Sequence, residues 1–267
     1  MLSCALCPAA AVLLSAMLAS ADAPVPVRYP EANFHETLVL RAADGSKLAD
    51  GEFSQAVEGT LVTARLVLRF ADGSLHDDTV VFSQDGQFTV VRDHLVQSGP
   101  AFPRALDMSI DAATGRVRVV YSEKDGRPRQ VEKVFSLPPD LSNGIVPTLL
   151  KNIGPAGPRR TLSLVVATPS PRLVRLEIVS ASREPVRVGP AGASRDATHY
   201  VLKVRIGGAA GWLAPLVGKQ PPDSHVWISS DTPPVYLRSD QPFFLGGSLW
   251  RIDATGGEAK EGGPLGR

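Results

Sequence analysis

Apolar side chains recur at every second position through much of this chain, and a period of two leaves little room for anything but strands. In the run from Ala64 to Phe70, Leu66, Leu68 and Phe70 share one face while Arg65 and Arg69 take the other. Leu106, Met108 and Ile110 alternate with Asp107, Ser109 and Asp111, and Tyr200, Leu202, Val204 and Ile206 alternate with His199, Lys203 and Arg205. One wet face and one dry face is the mark of antiparallel strands. The same reading predicts strands over Thr37 to Arg41, Thr79 to Ser83, Phe88 to His94, Val117 to Tyr121, Val131 to Phe135, Leu162 to Val166 and Leu173 to Val179. It continues with Val226 to Ser229, Val235 to Arg238 and Leu249 to Ile252.

Between these runs stand Asp44-Gly45, Asp50-Gly51, Asp72-Gly73, Asp85-Gly86, Thr114-Gly115 and Asp125-Gly126. Glycine supplies the positive φ of tight reversals, so each pair reads as a turn and the first half as a meander. A three-residue loop at Gln84-Asp85-Gly86 sets Val80 opposite Val90, Phe82 opposite Phe88 and Asp78 opposite Arg92. A two-residue loop would set Asp78 against Asp93, a like-charge pair that costs stability, so the bulged turn is preferred. The same loop type at Lys124-Asp125-Gly126 places Arg118 opposite Glu132 and Val119 opposite Val131. Helix is scarce. The run from Asn143 to Ile153 carries Pro147 where a first turn accepts it and Gly154-Pro155 where a helix stops. Gly207 to Gly218 reads as a second turn of helix or an irregular buried loop, and Gly189 to Ala197 as a loop. The expected fold class is therefore all-β: a single antiparallel meander forming a curved sheet or open barrel, with one or two short helices.

Composition narrows the function classes. There are 28 basic and 27 acidic side chains, so no positive surplus exists to track phosphates and nucleic acid is excluded as a partner. With 43% apolar residues the chain is not disordered either. Residues 1–21 read as a signal peptide, with an apolar centre from Ala11 to Leu18 and the small-residue triplet Ala19-Ser20-Ala21 ahead of a cut before Asp22. An uncleaved membrane anchor is the other reading. Residues 22–253 then form one antiparallel β domain and 254–267 a flexible tail. The expected location is periplasmic or secreted. Cys4 and Cys7 both lie in the leader, so the mature chain has no disulfide, thiolate metal site or cysteine nucleophile. No later apolar run approaches the roughly 20 residues of a membrane helix, which leaves no span once the signal is cut.

Two constellations could carry a site. In the preferred register His76 and His94 face each other with Asp78 beside them, a candidate metal cluster lacking any HExxH-type spacing. That cluster is the basis of an alternative reading as a metal-dependent or hydrolytic enzyme. No G-x-S-x-G pentapeptide occurs, and Gly207-Gly208-Ala209-Ala210-Gly211 lacks the strand and helix context of a dinucleotide loop. The second constellation is the aromatic set Trp212, Trp227, Phe243, Phe244 and Trp250. It reads either as a core plug closing one end of a barrel or as the lining of an apolar ligand site.

The segment Trp227-Ile228-Ser229-Ser230-Asp231-Thr232-Pro233-Pro234-Val235-Tyr236-Leu237 resembles the closing strands of uncharacterised exported bacterial β proteins, with a Trp-x-Ser-x-Asp run followed by Pro-Val. These are similar to the shallow-barrel lipoprotein carriers of the periplasm. The resemblance implies a curved antiparallel sheet around a short helical lid and binding of a lipid-like molecule. This chain departs from it in the insert-like Gly207 to Asp223 loop and in lacking a longer helix for the concave side. The expected role is a non-catalytic, cofactor-free envelope protein that binds an apolar or lipid-like ligand or a partner chain. A structural or adhesive module with an exposed edge strand is a further alternative.

Overall fold

Hydrogen bonding follows the meander that the alternation predicts. The computed structural model describes residues 23–123, 125–155, 160–166, 170–189, 192–205 and 221–255. The first half runs through β1 (Phe34–Arg41), β2 (Lys47–Glu58), β3 (Leu61–Phe70), β4 (Leu75–Ser83), β5 (Thr89–Ser98), β6 (Leu106–Asp111), β7 (Arg116–Ser122) and β8 (Pro128–Val134). After helix α1 (Val146–Ile153) come β9 (Thr161–Val166), β10 (Arg172–Val188), β11 (Ala193–Arg205), β12 (Ser224–Ser229), β13 (Tyr236–Gln241) and β14 (Trp250–Ala254). All 14 belong to one sheet, in the order β8-β7-β6-β5-β4-β3-β2-β1-β14-β13-β12-β11-β10-β9. The chain starts mid-sheet, walks to one edge, crosses with α1 to the opposite edge, and walks back until β14 pairs with β1. The result is an open, all-antiparallel sheet with a single short helix among the described residues.

The two edges are handled differently. The β9 edge is covered by the crossover segment: Ser142 N donates to Ser163 O at 2.8 Å and Ser163 N to Asp140 O at 3.2 Å. The buried Asn143 side chain then acts as one more strand unit, donating from Nδ2 to Val165 O and accepting from Val165 N, both at 2.9 Å. Replacing Asn143 by Ala would leave two buried backbone groups without partners, and a loss of about 3 kcal/mol in chemical denaturation is expected. A loss under about 1 kcal/mol would mean that the edge is satisfied some other way. The β8 edge has no strand beside it among the described residues. It begins with Pro128 and carries Arg129, Glu132 and Lys133, the devices that oppose edge-to-edge pairing and so weigh against a self-associating module.

Several turns differ from expectation. The β7–β8 register is as read, with Arg118 opposite Glu132 and Val119 opposite Val131. Asp50-Gly51 is no turn: it lies inside β2, where a Cβ on Gly51 would come within 2.8 Å of Leu68 and 2.9 Å of Leu38. The glycine is needed for close approach of the neighbouring side chains rather than for a reversal. Part of the Gly189 to Ala197 loop is strand, since β10 and β11 continue pairing out to Val188 and Ala193. Ala254 closes β14 and Thr255 bonds to Thr37, so the proposed tail starts too early. The segments read from sequence as a leader, as the Gly207 to Gly218 loop or turn and, over 256–267, as a tail lie outside the described residues.

The largest correction is in the β4–β5 hairpin. Gly86 takes the left-handed conformation at φ 67°, as expected. Pairing, however, sets Phe82 opposite Val90, and a bulge follows, so that Val81 meets Arg92, Val80 meets Asp93 and Asp78 meets Leu95. The extra residue is the exposed Val91. A bulge reverses which parity faces inward. Phe88 and Val90 point into the core before it, and Asp93, Leu95 and Gln97 do so after it.

The concave face carries two apolar clusters. Along β3 the inward residues pass from Val62 and Ala64 in the first, through Leu66, to Leu68 and Phe70 in the second. Leu149, Leu150 and Ile153 of α1 fill the first cluster against both halves of the sheet. Burying each such side chain contributes about 1.5–3 kcal/mol, which is how a one-sided sheet without disulfides holds its curve. The strap ahead of β1 lies over this end: Asn152 Oδ1 accepts from the Arg28 and Tyr29 backbone N–H groups at 2.8 Å each.

Candidate functional site

Between the two clusters the concave face leaves a cavity of about 610 Å³. Its walls are mainly apolar, with Leu66, Leu95 and Met108 from one half of the sheet facing Val174 and Leu202 from the other. Phe243 and Phe244 close one side, and the strap and α1 form the rim opposite, where Lys151 Nζ pairs with Glu31 Oε1 at 2.5 Å.

Set into this apolar wall are the carboxyls of Asp78 and Asp93. They lie diagonally across β4 and β5, brought together by the bulge at Val91. The two are close enough to share a proton, and one oxygen of each, Oδ1, has no hydrogen-bond partner among the described residues. Burial pushes the Asp78 carboxyl up to about 6. Burial, followed by the nearby Asp78 charge, raises Asp93 well above the usual carboxylate range, so Asp93 is the member that keeps the proton. Like charges placed side by side are thus tolerated because one of them is neutralised, a possibility that the charge argument for the hairpin register left out.

The candidate metal cluster is not assembled. His76 points inward, where its Nδ1 is 3.1 Å from Gln97 Nε2, and burial lowers it to about 4, which keeps the ring neutral. His94 sits on the outer face with Nε2 3.1 Å from Asp107 Oδ1. The bulge is the cause, because it turns odd-numbered β5 residues inward past Val91 and sends His94 out. Of the three, only Asp78 lines the cavity, and no group of three metal-ligating side chains occurs among the described residues.

The aromatic set divides. Phe243 and Phe244 line the cavity, and Trp250 packs behind them at ring-centroid distances of 5.4 and 5.8 Å. Gln97 fastens this group to β5 by donating from Nε2 to Phe243 O at 2.8 Å. Trp227 belongs to the outer face instead, where it stacks on His199 at 4.4 Å and donates its indole N–H to Glu184. Its neighbours Val226 and Ile228 face the concave core, so a lining role for Trp227 is incompatible with the pleat. Trp212 lies outside the described residues. Asp93 and Gln97 were missing from the sequence-based site; the bulge at Val91 that aims them inward has only a weak mark in the sequence, the apolar neighbours Val90-Val91, since Leu95-Val96 in the same strand is such a pair without a bulge.

No family model and no curated protein matches the chain. Among solved structures, a crystal structure of a protein from Bacteroides fragilis, described as exported and as having a YmcC-like fold, is similar at 11% identity and a TM-score of 0.33, covering 87% of this chain and 98% of that one. Among the described residues, no helix is long and apolar enough to cross a membrane.

Proposed function

We propose that this chain is an exported envelope protein whose curved sheet holds an apolar or lipid-like molecule, without performing chemistry on it. The observation that carries this reading is the cavity of about 610 Å³ between α1 and the aromatic group, a volume within the range of small-molecule sites and lined mostly by apolar side chains. The leader-like residues 1–21 support export, and the dispersal of His76 and His94 to opposite faces removes the catalytic alternative its geometry.

A neutral, environment-sensitive probe tests it. N-phenyl-1-naphthylamine is expected to brighten on mixing with the full chain and to be displaced by dodecanol. Leu95→Trp, which drives an indole into the cavity, is expected to weaken probe binding about tenfold or more while the circular dichroism spectrum stays that of a β protein. Probe binding that is absent in the parent chain, or unaffected by Leu95→Trp, would overturn the assignment.

A further inference from the structure

The cavity is not uniformly apolar, and two of its lining carboxyls, Asp78 and Asp93, have no evident use in the fold. Asp78 and Asp93 make no ion pair with a basic side chain among the described residues; of the basic side chains lining the cavity, Lys151 is held by Glu31 and Arg172 is exposed at its edge. Each carboxyl keeps one buried oxygen unpartnered while lining the void. A proton shared between them leaves one net negative charge in an apolar wall. Such a charge destabilises the fold unless an opposite charge meets it there.

Resting on the ligand-binding reading above, we infer that the cavity takes a cationic amphiphile, whose protonated amine docks on Asp78 and Asp93 while its apolar part lies against Leu95, Phe243 and Phe244. A primary ammonium brings three N–H donors and one positive charge, enough to reach both unpartnered oxygens and cancel the buried charge. An alcohol of equal length would supply one donor and leave the charge uncompensated. A fatty acid would add a second negative charge beside the first. A bare metal ion finds two carboxylates and no third ligating side chain among the described residues. The bulge supports the assignment from the side of the fold: it breaks the alternation of β5 at Val91, and its consequence is to bring Asp93 beside Asp78 at the cavity.

Calorimetric titration of the full chain near neutral pH with dodecylamine, dodecanol and dodecanoate, each below its solubility or micelle-forming limit, provides the test. Dodecylamine is expected to bind about tenfold or more tightly than dodecanol, with dodecanoate weakest. In the Asp78→Asn, Asp93→Asn double variant the preference for the amine over the alcohol is expected to shrink to about twofold or less. Equal binding of amine and alcohol by the parent chain, or a preference that survives in the double variant, overturns the cation assignment. If dodecanol binds and the amine gains nothing, the apolar-ligand reading stands and only the headgroup is wrong. If none of the three binds, both readings fall together.

Discussion

With Asp78 replaced by Asn, the protein is expected to gain about 3 kcal/mol of stability near pH 7 and almost nothing near pH 4. Burial moves this carboxyl from 3.8 to about 6 in the folded chain. Between those values the folded chain holds a proton that the unfolded chain has released, so stability falls as pH rises through the window. Above it the full penalty of the buried charge is present, and asparagine removes that penalty while keeping the shape. His76 works in the opposite sense: burial brings it from 6.5 to about 4, so the unfolded chain takes up a proton that the folded chain refuses as pH drops. The two contributions run in opposite senses, and Asp93, also raised by burial, adds to the fall with rising pH, so the parent chain's own profile does not separate them. Their separation comes from the difference between variant and parent at each pH, in which the His76 contribution is common and cancels. Urea denaturation between pH 4 and pH 7 reads that difference. A gain of the same size at every pH would place its origin in packing, and a loss near pH 7 would contradict the buried-charge account.

Much of the architecture is legible in the alternation of apolar and polar residues, because each wet-and-dry strand admits only one way of lying on a core. The β7–β8 hairpin follows from Asp125-Gly126 and the charges of Arg118 and Glu132 alone. The β4–β5 hairpin does not, and the reason is physical. Cross-strand charge rules assume ionised side chains in water, whereas Asp78 and Asp93 meet in an apolar wall where a proton is the cheaper solution. One inserted residue at Val91 then decides what the site contains, and a parity argument that runs straight through the bulge sends Asp93 outward and draws His94 in. Trp227 was misplaced for a related reason. Its aromatic mass suggests a core residue, but its parity beside Val226 and Ile228 puts it outside, where the long β10–β11 hairpin supplies a small apolar cluster with Val186 and Ala197. Residue type alone says that an aromatic will be covered, and only the pleat says by which face.

Phe102→Ala is expected to lower stability by about 3–5 kcal/mol, the range for emptying a well-packed aromatic site. Phe102 lies in the β5–β6 connection yet is only 5% exposed, because that connection folds into the concave end of the sheet. Its placement is fixed from both sides. Ala101 N donates to Ser74 Oγ at 2.8 Å, and Gly99, at φ 94°, lies so close to Ser74 that a Cβ would be 2.5 Å from it. The ring then meets Phe70 at 5.5 Å, Trp250 at 6.1 Å, Phe244 at 6.2 Å and His76 at 6.5 Å between centroids. No rearrangement of one neighbour fills the space of a lost phenyl ring when four rings converge on it, so the cavity term adds to the lost transfer energy. Phe244 offers the contrast: it lines the cavity and is only partly buried, so Phe244→Ala removes wall more than core and is expected to cost less than Phe102→Ala. Denaturation midpoints of the two variants order these roles. If Phe102→Ala cost under about 1 kcal/mol, the aromatic group would be a ligand-facing wall throughout and the second cluster would not close this end of the sheet.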